Sequence, residues 1–238
     1  MTPEGHTAPR MEGHSMNKPP VAVLLSGGMD STTALAHALT DADPARSLGI
    51  FVDYGQRHIV ERDAARQVAD WYGVNLVTLD LTGYGASVSS ALTDPNVPVP
   101  HGEYGPENMA LTVVPNRNAT MLSAAAGLCA QQGIRHLYTA VHAGNHTVYA
   151  DCRPDFIEAL SRATVLSCGV EVLAPFVYMD KAQIARHGAS RGVPYALTWS
   201  CYEGGIEHCG KCGTCIERYE AFRDAGLDDP TRYARSSQ

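Results

Sequence analysis

The chain has 238 residues, of which 45% are hydrophobic and 18% are charged, a composition typical of a folded globular protein and unlike a disordered or fibrous one. Its 18 basic and 25 acidic residues give a formal net charge of −7, which argues against a broad surface for nucleic acid or anionic membranes. Since no apolar run approaches the ~20 residues of a membrane-spanning helix, we expect neither a membrane nor nucleic acid among its partners.

The first twenty residues are polar, rich in Pro and Gly, and without the apolar stretch of a signal peptide. We therefore expect a disordered leader over residues 1–20, with translation starting at Met11 or Met16. The remaining chain divides into an α/β domain over 21–198 and a C-terminal metal-binding segment over 199–238 packed on it.

From Val21 onward, short apolar runs alternate with amphipathic stretches, which is the pattern of βα units in an open parallel sheet with helices on both faces. The predicted strands are residues 21–25, 48–52, 76–79, 136–141 and 170–174. The predicted helices are residues 31–39, 59–72, 117–131, 155–166 and 181–191. Residues 82–111 carry six glycines and prolines between Pro95 and Pro106 and no clear period, which favours a mobile lid or substrate loop.

Residues 26–33, SGGMDSTT, connect the first predicted strand to the first helix. Two glycines permit close approach of the backbone to an anion, and the amides at a helix N-terminus attract one. Asp30 can hold a magnesium ion. The segment has neither the lysine of a Walker A motif nor the pattern GxGxxG. The alternative is a simple turn in which Asp30 or Ser31 caps the helix.

Four of the seven cysteines lie within fifteen residues, in the pattern C-x7-C-x2-C-x2-C. Such thiolates can surround a structural zinc ion, and they indicate a reducing, cytoplasmic location. The four are Cys201, Cys209, Cys212 and Cys215. An iron–sulfur cluster or a redox CxxC pair is the alternative, and His208 is a weaker candidate ligand. The other cysteines are expected in the core.

The segment SGGMDS after a strand resembles the PP-loop of the ATP pyrophosphatase superfamily, whose fold is the adenine nucleotide alpha hydrolase-like sheet. Four further segments, DYGQRH (53–58), VPNRN (114–118), YADCRPDF (149–156) and TWSCYEGG with HCGKCGTC (198–205 and 208–215), resemble the 7-cyano-7-deazaguanine synthases, the QueC family. The resemblance implies that nucleotide is bound by Leu25, Ser26, Gly27, Gly28, Met29, Asp30, Ser31, Thr32, Thr33, Ala34 and Leu35.

The family resemblance further implies a ligase that converts 7-carboxy-7-deazaguanine and ammonia into the nitrile, with two ATP, in queuosine biosynthesis. Mg²⁺ would accompany ATP, zinc would be structural, and a homodimer is expected. Asp30 would help to hold Mg²⁺. Arg57 and Arg117 would clamp phosphate or the substrate carboxylate, while Asp151 and Arg153 would read the deazaguanine edge. Other expected neighbours of the ligands are Asp53, Tyr54 and Gln56.

Each of these assignments has a plainer alternative. Asp53, Asp151 and the two arginines could be helix caps or surface ion pairs. Tyr54, Tyr149 and Trp199 could serve in core packing, and His58 and His142 are more typical of structural histidines. The family commonly has an acidic residue where Asn145 stands, proline at Ala150 and aspartate at Gly213.

These departures leave two rival functions open. The first is a related adenylating enzyme that makes an amide or a conjugate of a deazaguanine acid. The second, from another class, is a zinc-binding regulatory module with a degenerate phosphate loop.

Overall fold

The computed structural model describes residues 18–94, 96–102, 106–142 and 149–234, with only the backbone for 106–108. The candidate start positions Met11 and Met16 and most of the expected leader lie outside the described residues. Within the described part of the chain, no helix has the length and apolar character needed to cross a bilayer.

Five strands form one parallel sheet in the order β3-β2-β1-β4-β5. The strands are β1 (Ala22–Leu24), β2 (Leu48–Asp53), β3 (Asn75–Asp80), β4 (His136–Tyr138) and β5 (Glu171–Leu173). The helices are α1 (Met29–Ala38), α2 (Glu61–Tyr72), α3 (Thr82–Ala86), α4 (Pro106–Leu111), α5 (Arg117–Gln131), α6 (Pro154–Cys168), α7 (Lys181–Ala189) and α8 (Gly213–Ala225).

Helices cover both faces of the sheet, as the sequence predicts. Side chains alternate along β1 and its flanks, so that Val21, Val23 and Leu25 pack with α1, α2 and α7 on one face. Ala22, with Leu48 and Ile50 of β2, packs with α5 and α6 on the other. The burial of both faces explains why these strands read as continuous apolar runs.

The strand order reverses at β1. The chain runs outward from β1 through β2 and β3, then crosses to the other side of β1 to form β4 and β5. The loops that follow β1 and β4 therefore leave the sheet in diverging directions. In open α/β sheets, ligands bind in the crevice that opens at this switch point.

The region predicted to be a lid or substrate loop, 82–111, contains two short helices, α3 and α4. Contacts between residues distant in sequence hold this region in place. Leu92 packs with Tyr54 and Val114 in a buried cluster, and the amide of Ala91 donates to the carbonyl of Leu111 at 2.9 Å. The sequence did not predict these two helices, because the residues share no helical period.

The final helix, α8, has no counterpart among the predicted elements. Ala221 and Phe222 on α8 pack against Ala185 of α7 and Ala36 of α1. Arg218, only 1% exposed, donates hydrogen bonds to the carbonyl of Tyr195 and to Thr198 Oγ1 at 3.1 and 2.7 Å. The C-terminal segment is thus joined to the sheet domain through a continuous packed interface.

Candidate active site

A cavity of about 290 Å³ opens at the carboxyl ends of β1, β2 and β4. Leu24, Leu25 and Ser26 at the end of β1 form one wall, and the segment 139–141 after β4 forms another. The wall residues with polar side chains are Ser26, Asp30, Ser31, Tyr54, Gln56, His58, Glu61, Arg117, Asn118, Thr139, Cys152 and Tyr202. The cavity therefore lies at the switch point that the strand order defines.

The phosphate loop borders this cavity. Gly28, and neither Asp30 nor Ser31, occupies the N-cap position of α1, which removes the helix-cap alternative for those two residues. The hydroxyls of Ser26 and Ser31 lie 3.1 Å apart. The amide of Trp199 donates to the carbonyl of Gly27 at 2.9 Å, so the C-terminal segment holds the loop directly.

Asp30 lies between a cation and the cavity. Its Oδ2 is 3.0 Å from Lys181 Nζ, which is also 3.1 Å from Glu217 Oε2, while His142 Nε2 is 3.8 Å from the same Asp30 oxygen. Burial opposes the charge of Lys181, but the two carboxylates outweigh it and raise the pKa of Lys181 above its usual value. Asp30 Oδ1 is buried with no hydrogen-bond partner among the described residues.

That orphaned oxygen fits a magnesium ligand, since a hard divalent cation takes carboxylate oxygens. Sequence reasoning missed Lys181 and Glu217. Lys181 was placed only as the start of a helix, and Glu217 lies two positions after the last cysteine, with no local pattern to mark either one.

Arg117 and Glu61 also line the cavity. Arg117 Nη1 donates to Tyr54 Oη at 3.4 Å, and its guanidinium lies 5.8 Å from the centre of the Tyr54 ring. Glu61 Oε2 lies 3.5 Å from His58 Nε2, with the two side chains only 12% and 2% exposed. Neither His58 nor Glu61 was predicted as a functional residue.

The protonation states of this pair are set by burial. Burial raises the pKa of Glu61 to about 8, against the attraction of Arg117. Burial also lowers the pKa of His58 to about 3, helped by the positive charge of Arg117. His58 is therefore neutral and Glu61 is mostly protonated near neutral pH, so the contact is not an ion pair.

The four clustered cysteines converge at one point. Their sulfur atoms all lie within 4.8 Å of one another, close to the ~3.8 Å edge of a tetrahedron of thiolates around zinc. Backbone amides of Lys211 and Cys212 donate to Cys209 Sγ at 3.3 and 3.2 Å, which stabilises a thiolate there. The donor set fits a closed, four-coordinate metal site.

His208 has other partners. Its Nε2 accepts a hydrogen bond from the amide of Ser200 at 3.0 Å, and its ring stacks on Trp199 with centroids 4.2 Å apart. Trp199 Nε1 donates to the carbonyl of Cys201 at 2.8 Å. These contacts favour the packing interpretation of Trp199 over stacking on a base.

The family model described as queuosine biosynthesis protein QueC matches residues 20–226. The chain belongs to the QueC family. It is 48% identical to a 7-cyano-7-deazaguanine synthase of Brucella anthropi, over 89% of this chain and 92% of the relative. It is 50% identical to the synthase of Rhizobium johnstonii, over 89% and 90%. These relatives are enzymes, and they confirm the resemblance stated from the motifs.

Two solved structures match this chain at low identity. The U34-tRNA thiolase NcsA of Methanococcus maripaludis, which holds a [4Fe-4S] cluster, matches with a TM-score of 0.49 and 14% identity, over 75% of this chain and 59% of that one. The NMN synthetase of Francisella tularensis matches with a TM-score of 0.47 and 13% identity, over 90% and 79%.

In this QueC-family chain, three of the predicted substrate residues are not among the described residues that line the cavity. Arg57 Nη1 donates to the carbonyl of Val97 at 2.7 Å. Asp151 Oδ2 accepts from the amide of Asn118 at 3.0 Å, which caps the start of α5. Arg153 is the N-cap residue of α6. Their roles toward substrate stay predictions.

The remaining predicted neighbours support the loops around the cavity. Gln56 lines the cavity and accepts from the amide of Tyr54 at 2.9 Å, while Asp53 Oδ1 accepts from the amide of Gly55 at 3.0 Å. Tyr149 Oη lies 2.8 Å from Thr112 Oγ1. Of the departures from the family pattern, Asn145 lies outside the described residues.

Proposed function

We propose that this chain is a 7-cyano-7-deazaguanine synthase that converts 7-carboxy-7-deazaguanine and ammonia into the nitrile at the expense of two ATP. The observation that carries the proposal is the cavity at the switch point, bordered by the phosphate loop SGGMDS, in a chain 48% identical to a synthase of that name.

The reaction requires two activations of oxygen. A carboxylate is inert toward ammonia, so its oxygen must first become part of an adenylate that can leave as AMP. The resulting amide must then lose its last oxygen in the same way. A single cavity serves both steps, because the reacting oxygen stands at the same place on the same ring each time.

The residues around the cavity divide this work. Ser26, Ser31 and the N-terminal amides of α1 would bind the departing pyrophosphate, and Lys181 would add a positive charge there. Asp30 would hold Mg²⁺ through its free Oδ1, and the ion would supply charge neutralisation for ATP. Arg117, which lines the cavity, would stabilise the carboxylate and the crowded α-phosphate.

The four cysteines would hold one structural zinc ion, since four sulfur ligands leave no open coordination position. We extend the proposal to two functional parts, an ATP-binding domain over 21–198 and a zinc-binding segment over 199–238. A cytoplasmic homodimer is the expected form of the enzyme.

The direct test uses the purified protein with 7-carboxy-7-deazaguanine, ammonium and Mg-ATP, following product mass, AMP and pyrophosphate. The nitrile, formed with two AMP per product, is expected. An amide or a stable conjugate as the end product would indicate the related adenylating enzyme. A lack of acid-dependent AMP formation would contradict both, and would favour the zinc-binding regulatory module.

A further inference from the structure

Glu61 is a buried carboxyl group in a cavity that the proposed function fills with phosphates. A negative charge there does not assist nucleotide binding, and none of the phosphate, magnesium or clamping roles described above employs it. Glu61 begins α2 directly beside the phosphate loop, since a Cβ on Gly27 would lie 2.7 Å from the Glu61 carbonyl oxygen. Its side chain lines the cavity and is 12% exposed.

The groups that interact with Glu61 come from several segments: His58 before α2, Tyr54 just after β2, Arg117 on α5 and Tyr202 directly after Cys201. Burial raises the pKa values of both tyrosines and lowers that of His58. Of these neighbours, Arg117 alone is charged near neutral pH, and Asp30 lines the same cavity from α1. Compared with His58 and the two tyrosines, Glu61 therefore has the pKa closest to neutral pH, and its carboxylate is the group best suited to accept a proton there.

The chemistry of the proposed function has a requirement that the phosphate-binding groups do not meet. Carboxylate activation releases no proton, but nitrogen must lose protons twice. It loses one when ammonia becomes an amide and two when the amide becomes a nitrile. A base must stand beside the reacting carbon in both halves.

We propose that Glu61 is this base, a catalytic residue that takes protons from the substrate nitrogen in both halves of the reaction; the inference rests on the proposed function. In the first half, ammonia attacks the acyl carbon and the C–N bond forms. The C–O bond to AMP breaks, AMP leaves with the electron pair, and the Glu61 carboxylate receives a nitrogen proton. Glu61 returns that proton to solvent before the next half begins.

In the second half, the amide oxygen attacks the α-phosphorus of ATP and pyrophosphate leaves. One nitrogen proton passes to Glu61. The other leaves on the phosphate of AMP as the C–O bond breaks and the third C–N bond forms. A base whose pKa lies near the working pH can both accept a proton from nitrogen and release it to solvent. The raised pKa of Glu61, about 8, agrees with this requirement.

The first test separates activation from proton removal. Glu61→Gln keeps the shape of the side chain and removes the base. With 7-carboxy-7-deazaguanine and no ammonium, we expect the variant to retain acid-dependent ATP–pyrophosphate exchange within about threefold of the wild type. Formation of amide and nitrile should fall by roughly 10²–10⁴-fold, the usual contribution of a general base.

The matched control is Asp63→Asn. Asp63 is also an acidic residue in the first turn of α2, but it is exposed and lies outside the cavity lining. Asp63→Asn makes the same acid-to-amide change in the same helical turn, but at a side chain that does not face the cavity. We expect both exchange and amide formation to stay near wild-type rates in this variant.

The second test supplies the amide directly and follows nitrile formation in a single turnover. Because this half uses no ammonia, its pH profile is free of the ammonium equilibrium. In the wild type the rate should rise with pH to a plateau above about pH 8, where Glu61 is ionised. The rising limb should be absent in Glu61→Gln.

Three results would overturn the inference. Glu61→Gln could form amide as fast as wild type, or its pH profile could be unchanged. The variant could also lose acid-dependent ATP–pyrophosphate exchange to the same extent as amide formation. Glu61 would then act before proton removal, as a residue that binds the substrate ring. Failure of the wild type itself to exchange or to form nitrile would instead contradict the proposed function.

Discussion

Gly27 illustrates how one residue determines the shape of the phosphate loop. Its φ is 85°, and a Cβ there would lie 2.5 Å from the backbone nitrogen of Ala65 in α2. A side chain would thus meet backbone atoms that cannot move without shifting the helix. The close approach of the loop to α2 is what allows Ser26 and Glu61 to border the same cavity.

We predict that Gly27→Ala destabilises the protein by about 2 kcal/mol or more, since both the positive φ and the clash oppose it. It should also weaken ATP binding at least tenfold, because the loop must move. Urea denaturation and nucleotide titration measure the two effects. The control is Gly127→Ala in the interior of α5, where a Cβ has nothing within 4 Å; this change should stabilise by about 0.5–1 kcal/mol.

Glu61 also links pH to stability. The pKa of Glu61 is about 8 in the folded protein and near the ordinary carboxyl value when unfolded, about 4.3. The folded state then binds more protons between these values, so Glu61 makes stability fall as pH rises through that interval. The loss is complete once pH exceeds the folded pKa.

We therefore predict that Glu61→Gln becomes progressively more stable than wild type as pH increases. Between about pH 6 and about pH 8 the free energy of unfolding of the variant should gain about 2 kcal/mol on the wild type. Thermal and urea denaturation at both pH values provide the comparison. A difference that does not change with pH would show that Glu61 ionises normally in the folded protein.

At the scale of elements, Lys181 joins three helices. It begins α7 and pairs with Asp30 on α1 and Glu217 on α8, at 3.0 and 3.1 Å. The three side chains are between 18% and 21% exposed, so the charges are largely removed from water. Loss of the cation would remove the charge that pairs these two partly buried carboxylates with each other.

We predict that Lys181→Met destabilises the protein by roughly 2–3 kcal/mol and weakens ATP binding. The double variant Lys181→Met with Glu217→Gln should recover part of the stability, because one of the two neighbouring carboxylate charges is gone, and should not recover ATP binding. Arg162→Met removes an exposed pair with Glu158, in which the side chains are 68% and 71% exposed; it should change stability by less than about 0.5 kcal/mol. Full additivity in the double variant would contradict the coupling.

At the scale of the whole molecule, the cysteine cluster is connected to the phosphate loop by two routes. Cys212 is the N-cap of α8 and Cys215 lies in its first turn, and the same helix carries Glu217 toward Lys181. The second route is the hydrogen bond from the Trp199 amide to the Gly27 carbonyl, 2.9 Å. A change in the packing of the cysteine cluster should therefore also displace the phosphate loop.

We predict that removal of the metal with a chelator lowers the melting temperature and weakens ATP binding together, since binding of a structural metal contributes directly to folding. Cys212→Ser should reproduce both effects, with metal content measured by elemental analysis. The control is Cys168→Ser in α6, whose thiol bonds to the carbonyl of Thr164 within its own helix. A metal-free protein with unchanged melting and ATP affinity would show that the two routes carry no coupling.

The parallel sheet, most of its helices and the phosphate loop could be predicted because their signals are local. Apolar strands, helical periods and the run SGGMDS each lie within a short stretch of chain. The four cysteines were equally visible, since a closed metal site depends on ligand spacing within fifteen residues. These features were determined by the sequence by itself.

The tertiary structure alone decided which charged residues meet. Lys181 reaches Asp30 across 151 positions of sequence, and Glu61 enters the cavity because Gly27 lets α2 approach the loop. Asp151 accepts a hydrogen bond from the first turn of α5, 33 positions away in sequence, and its role toward the substrate stays a prediction. Helices in the segment 82–111 depend on packing around Tyr54. Such contacts arise from the crossing of elements distant in sequence, and the free energy that selects them comes from burial in three dimensions, which no short stretch of sequence encodes.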